Sequence, residues 1–258
     1  MSDSAIVIIA TIGKESLARA IESAYEQKYE RGPGGLECLV VVDGPEFDQR
    51  ARAVYHDAIR KRDADWIDIV TLPQNTGRNG YVCHRIYGAM PMLVNQDYIF
   101  YLDDDNWFDP DHVQNCIKAC EENELDWCYA MRNVYKDGEF LCRDECESVG
   151  MWPVWYNPNH SHIDTNCYCI RREVAVQMAP HWHESRYDKD GKVQASVDTK
   201  ICEIMKRKFP RFAMVPKFTV NYELGSWELS PKPEFFMDGN ARFAERFGGR
   251  LPWEKAAK

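Results

Sequence analysis

Asp103, Asp104 and Asp105 stand side by side at the end of an apolar run, within Y-I-F-Y-L-D-D-D-N-W-F-D-P-D over residues 98–111. Adjacent carboxylates raise one another's affinity for protons, so such a cluster persists where a cation or a ligand's donors offset its charge. Hard oxygen donors of this kind suit Mg2+ or Mn2+. Because those ions keep part of their shell for phosphate oxygens, one or two protein carboxylates suffice, and a nucleoside diphosphate is the natural guest. The plain alternative is a solvated turn ahead of the helix that Pro110 starts. An EF-hand loop with Asp103, Asp105 and Asp111 as ligands fails at its sixth position, where Phe108 replaces the glycine of the sharp turn.

Further candidates lie elsewhere. Asp43 closes a second apolar run, immediately before Gly44-Pro45. Asp198 falls in the first turn of a helix predicted over 198–208, with Ile201, Ile204 and Met205 on one stripe. On local grounds Asp198 is a helix-start residue, because free backbone N–H groups and the macrodipole favour a carboxylate there. Residues 151–161 are dense in Trp, Tyr, Pro, Asn and His, which fits either a packed irregular loop or the wall of a sugar or nucleotide pocket.

The elements that must carry these side chains follow from periodicity. Residues 5–10, 38–42, 67–72 and 98–102 read as short buried strands, and 14–28, 48–62 and 81–95 as helices, the last kinked or restarted at Pro91. Four strands joined by crossovers of about twenty to thirty residues make a parallel sheet with helices on both faces. Ligands of such sheets bind outside the carboxyl ends of the strands. Thr11, Asp43 and Asp103–Asp105 all fall there, so they should line one crevice. The second half is less regular: a hairpin over 127–135 and 139–142 turning at Lys136-Asp137-Gly138, a strand at 167–170, a helix at 172–178, a polar loop at 183–196 and a last strand at 218–222. Beyond it, residues 231–258 offer Phe235, Phe236, Phe243, Phe247 and Trp253 for docking.

Composition sets limits on function. The chain has 258 residues, 45% of them hydrophobic, and a formal charge of −9. It can bury a sizeable core, and its acidity argues against a nucleic-acid surface while favouring a bound cation. The opening M-S-D-S-A-I-V-I-I-A lacks the basic flank and cleavage site of a signal peptide, so the ten cysteines are expected to be reduced in the cytoplasm. The close pairs Cys116/Cys120, Cys142/Cys146 and Cys167/Cys169 are not C-x2-C knuckles, which argues against structural zinc. No run reaches the roughly 18 apolar residues of a membrane span.

The residues also carry a resemblance. The run V-I-I-A-T-I-G-K-E-S-L, the strand V-V-V-D-G-P, the loop Asn75-Thr76-Gly77 and L-D-D-D-N-W-F-D-P-D resemble family 2 inverting glycosyltransferases of the GT-A fold. The second half, with W-Y-N-P, H-I-D-T, H-W-H-E-S, V-D-T-K-I-C and V-N-Y in order, resembles the spore-coat nucleotide-sugar transferases of that family. The resemblance implies a Rossmann-like, mostly parallel sheet with helices on both faces and a smaller antiparallel acceptor-side portion. It implies one transferase domain over 1–228, with a nucleotide-binding half at 1–109, an acceptor-binding half at 110–228, and an extension at 229–258. Position by position, Thr11, Asp43, Asp103 and Asp104 match nucleotide contacts, and Asp105 with Asp104 matches the metal motif for Mn2+ or Mg2+. Asp198 matches the catalytic base, with Asp164 as the other candidate, and Arg85 fits a family arginine only after a three-residue insertion. Departures are Ile12 where an aromatic residue commonly stacks on the base, and Val197 where a second acid often precedes Asp198. The processive Q-x-x-R-W signature is absent. The implied activity is transfer of one sugar from a nucleoside-diphosphate sugar, UDP-type favoured, to a carbohydrate or other hydroxyl acceptor, as in polysaccharide biosynthesis. A non-catalytic nucleotide- or carbohydrate-binding protein and a sugar-phosphate nucleotidyltransferase are the rival readings. The latter lacks its basic glycine-rich loop here, since residues 11–16 hold one Gly and one Lys.

Overall fold

The computed structural model describes residues 3–188, 190–192, 197–226 and 230–254. β1 (Ala5–Thr11) is AIVIIAT with all seven residues buried, as a strand covered on both faces requires. The chain then turns through Gly13, at φ 79°, into α1 (Leu17–Tyr25), which buries Leu17, Ala20, Ile21 and Ala24. This helix starts later than its apolar spacing predicts, because residues 14–16 are spent in the turn that feeds it. β2 (Leu36–Val42), α2 (Asp48–Ile59), β3 (Ile67–Thr71) and α3 (His84–Ala89) follow, and Pro91 restarts the last as a single 3-10 turn, Met90–Met92. β4 (Tyr98–Asp103) completes the first half with five fully covered residues and Asp103 at its end.

β1 pairs in parallel with β2 and with β4, and β2 with β3, giving the order β3-β2-β1-β4. The direction of winding reverses between β1 and β4. Such a reversal leaves a crevice at the carboxyl ends of the two strands, because the segments that follow them diverge to opposite sides.

The second half extends the same sheet. β5 (Trp107–Phe108), α4 (His112–Glu122), β6 (Trp127–Lys136), β7 (Glu139–Arg143), β8 (Tyr168–Arg171), α5 (Arg172–Met178), α6 (Val197–Lys208), β9 (Phe212–Leu224) and α7 (Pro233–Arg246) complete the described elements. β8 lies antiparallel between β4 and β6, β7 pairs antiparallel with the far end of β6, and β5 pairs antiparallel with β9. To these antiparallel pairings the structure adds a long parallel one, β6 with β9. β9 is much longer than the strand expected at 218–222. Pro216 and Lys217 interrupt its pattern, and the register shifts there between Ala130 and Arg132, so a residue without an N–H donor sits where the ladder is already broken.

The main core lies between this sheet and its helices. A second, smaller core forms where α7 docks, joining Phe236 and Phe243 to Met131, Val134, Cys146, Val149, Leu224 and Leu251. The boundary expected at 228/229 lies outside the described residues. No helix among the described residues is long and apolar enough to cross a membrane.

Candidate active site

The end of β1 delivers Thr11 to the crevice. Its hydroxyl donates to Asp104 Oδ2 at 2.6 Å and accepts from the N–H of Gly13 at 2.8 Å. A side chain at Gly13 would run into Arg50, so glycine there lets the loop lie flat. The loop in turn sets Lys14 between two acids, with Nζ 3.2 Å from Asp104 and 2.6 Å from Asp105. Burial works against the ammonium's charge, but Asp104 and Asp105 outweigh it and hold the lysine pKa above its usual value. Asp104 itself is pushed up by burial, with Lys14 opposing. Two carboxylates thus converge on one cation. Their oxygen donors fit the hard divalent ion the motif implies, with the ammonium as the stand-in.

Asp103, the third acid, is engaged differently. It accepts from Tyr87 Oη at 2.7 Å and from Asn166 Nδ2 at 2.9 Å, so it braces α3 and the turn before β8 against the sheet. Burial, then the charges of Asp105 and Asp164, push its pKa up to about 7.

Asp43 also reaches the crevice, but its carboxylate holds a loop. It accepts from Thr76 N at 2.6 Å, Thr76 Oγ1 at 2.7 Å and Gly77 N at 2.9 Å. Gly44, at φ 121°, would place a Cβ 2.9 Å from Asn75 N, so the close approach it permits is that of this loop's backbone. Arg85 is not brought into the crevice wall. Its guanidinium lies 3.4 Å over the Tyr81 ring and donates to Thr76 O at 3.2 Å. The lysine and arginine side chains in the wall, among the described residues, are Lys14, Arg78 and Arg186.

Asp198, in the first turn of α6, accepts a hydrogen bond from Thr165 Oγ1. Asp164 caps the short Thr165–Cys167 turn by accepting from Asn166 N at 2.9 Å, and it pairs with the buried Arg132. Arg132 also holds Asp144 at 2.8 Å and Glu147 at 2.5 Å, while Asp144 accepts from the N–H groups of Cys146, Glu147 and Ser148. The Arg132 guanidinium lies 4.4 Å from the centre of the Tyr222 ring.

Thr11, Asp43, Asp103–Asp105, Asp164 and Asp198 all line one cavity of about 450 Å3. The model of the family described as "Glycosyl transferase family 2" matches residues 5–170, more than half of the chain. The chain belongs to that family.

No curated protein matches it in sequence. Solved structures do match in fold. TarS 1–349 of S. aureus has a TM-score of 0.61 at 13% identity, over 85% of this chain and 60% of that one. TarS 1–349 in complex with UDP has a TM-score of 0.59 at 13% identity, over 86% and 60%. TarS 1–349 in complex with UDP-GlcNAc has a TM-score of 0.61 at 12% identity, over 98% and 68%. This family 2 chain therefore spans about 60% of the length of the first of these, and the likeness is one of fold.

Sequence reasoning does not single out Lys14, Arg132, Asn166 or Tyr222. The signal for Lys14 is a cation three residues beyond one strand end, facing acids at the end of the neighbouring strand. For Arg132 the signal is a charge in the middle of an apolar strand, which must be paired if that strand is buried. Its three partners come from residues 144–164, and no local pattern names them.

Proposed function

We propose that this protein transfers a single sugar from a nucleoside-diphosphate sugar to an acceptor hydroxyl, with inversion at the anomeric carbon. The observation that carries this reading is the convergence of Asp104 and Asp105 on one cation in the same cavity as Asp198. In support, the family is one of glycosyltransferases, and TarS, similar in fold, has been solved with UDP and with UDP-GlcNAc. A uridine diphosphate donor is favoured on that ground.

Asp105, with Asp104, would hold Mn2+ or Mg2+, which when bound offsets charge on the departing diphosphate. Lys14 supplies a further positive charge at that end, where charge develops as the bond breaks. Asp43 and the Thr76-Gly77 loop it fastens form the nucleotide end of the wall. Asp198 accepts the acceptor's hydroxyl proton as that oxygen bonds to the anomeric carbon. The bond to the diphosphate oxygen breaks with its electron pair, and attack from the face opposite the leaving group inverts the centre. Thr165, donating to Asp198, orients the carboxylate. Asp164 is the less suitable base, because accepting a proton would weaken its pairing with Arg132. The polar loop expected at 183–196 falls partly on residues 189 and 193–196, which lie outside the described residues.

The test is calorimetric titration of nucleoside diphosphates with and without Mn2+, in the parent and in Asp105→Asn, followed by an assay of diphosphate release from nucleotide-sugars. Cation-dependent binding that Asp105→Asn abolishes is the expected result. Equal nucleotide affinity in both proteins, with Mn2+ present, would overturn the reading.

A further inference from the structure

Three sulfurs meet at the inner face of α4, with a fourth cysteine one turn away on that helix, and none of the four residues lines the cavity. Cys116 and Cys120 stand one turn apart on the buried side of that helix. Cys128 and Cys169 are direct partners across the antiparallel β6–β8 pair beneath it. The Sγ atoms of Cys120, Cys128 and Cys169 all lie within 4.8 Å of one another, and each of the three residues has 0% exposure. The Cys128 thiol donates to the backbone carbonyl of Cys116 at 3.4 Å, so the helix turn carrying Cys116 packs directly on the cluster.

Three sulfurs that share a metal at about 2.3 Å each are about 4 Å apart, so this spacing needs little rearrangement. We propose that Cys120, Cys128 and Cys169 bind a thiophilic d10 cation, Cu+ through these three sulfurs alone or Zn2+ with Cys116 as the fourth donor, as a structural site clamping α4 to the sheet. The donor set decides the class. Thiolates select Cu+ and Zn2+, whereas Mg2+ and Mn2+ require oxygen. With no exposure and no described oxygen ligand, the site is closed and leaves no position open for substrate. Binding is ligand exchange without redox. Each thiol releases its proton to solvent as its sulfur bonds the metal, so affinity rises with pH. Arg171, beside Cys120, supplies positive charge against the excess thiolate charge, although it also pairs with Glu121 at 2.6 Å.

Sequence spacing conceals such a site. The close pairs in sequence are Cys116/Cys120 and Cys167/Cys169, but one member of the second is drawn away: Cys167 meets Ser148 instead, at 3.5 Å. The cluster takes its sulfurs from α4, β6 and β8, and only the sheet register joins them.

The experiment uses the full chain carrying Asp105→Asn, so that the acidic cluster does not compete for metal. It is purified anaerobically with reductant, and its metal content is measured. The protein is then stripped and titrated separately with Zn2+, Co2+ and Cu+. The expected result is about one cation per chain, sulfur-to-cobalt charge transfer in the near ultraviolet, and a Tm several degrees lower in the stripped protein. Cys120→Ala, compatible with the helix, should lose all three signatures while keeping its far-ultraviolet dichroism, and Cys142→Ser should keep them. Cys116→Ala separates the two cations, losing Zn2+ but not Cu+. Absence of metal with an unchanged Tm after stripping overturns the proposal. So does charge transfer that persists in Cys120→Ala, or thiol counting that finds Cys128 and Cys169 joined as a disulfide in the reduced preparation.

Discussion

Lys14 is the residue on which the acidic cluster turns, because its ammonium already offsets Asp104 and Asp105 before any ligand arrives. Replacing it by Met leaves two largely buried carboxylates facing one another. The expected outcome is a lower Tm that added Mn2+ restores, read by thermal shift with and without the ion. Asp198 and Asp164 provide the second residue-scale contrast. In Asp198→Asn the shape is kept and the proposed proton acceptor removed, so turnover should fall about 10²–10⁴-fold, with nucleotide affinity and Tm near those of the parent. In Asp164→Asn the charge facing Arg132 is lost from a buried network. That variant should show its deficit as lost stability, of about 3–5 kcal/mol by denaturant titration, whatever its activity. A parental turnover rate in Asp198→Asn would move the base elsewhere.

At the scale of elements, Arg132 joins β6, the segment after β7 and the turn before β8, because Asp144, Glu147 and Asp164 all close on it. Removing the shared cation strands three carboxylates at once. α4 is fastened to β9 in a different way. His112, with 0% exposure, stacks on Phe108 with ring centroids 4.1 Å apart and places Nδ1 2.8 Å from Thr219 Oγ1. Burial pulls its pKa down to about 3, against a reference value of 6.5. The folded protein therefore keeps this ring neutral while the unfolded chain takes up a proton below about pH 6.5. Its contribution to stability is fully present above that pH and is lost as pH falls toward 3. Denaturant titrations from pH 7 to 4 should show His112→Gln, which can still reach Thr219, losing less stability per pH unit than the parent. The difference should approach about 1.4 kcal/mol per unit.

Across the whole molecule, two cores share one sheet. The larger supports the cavity, while the smaller packs α7 against β6, β9 and residues 146–149. Phe243, with 0% exposure, lies in the second. Phe243→Ala should cost about 3–5 kcal/mol. Because none of the cavity's acids belongs to that core, nucleotide affinity in the folded fraction should stay at the parental level. A matching loss of affinity would mean that α7 supports the site as well as the fold.

The four parallel strands and the acids at their ends were legible in the sequence, because a strand buried on both faces must be apolar throughout and must stop where charge begins. That same local rule predicted Thr11, Asp43 and Asp103–Asp105 in one crevice, and resemblance added Asp198. What each carboxylate is bonded to was not legible. Asp103 turns to Tyr87 and Asn166, Asp43 to the Thr76-Gly77 loop, and Asp164 to Arg132, through contacts between residues 16 to 63 positions apart. The full length of β9 was hidden because Pro216 reads as a strand breaker until a bulge in β9, opposite Ala130 and Met131, absorbs it. The sulfur cluster was hidden because a register between β6 and β8 places two of its members. Hydrophobic periodicity reports which face of an element is covered. Only the pairing of elements decides which polar groups meet beneath that cover.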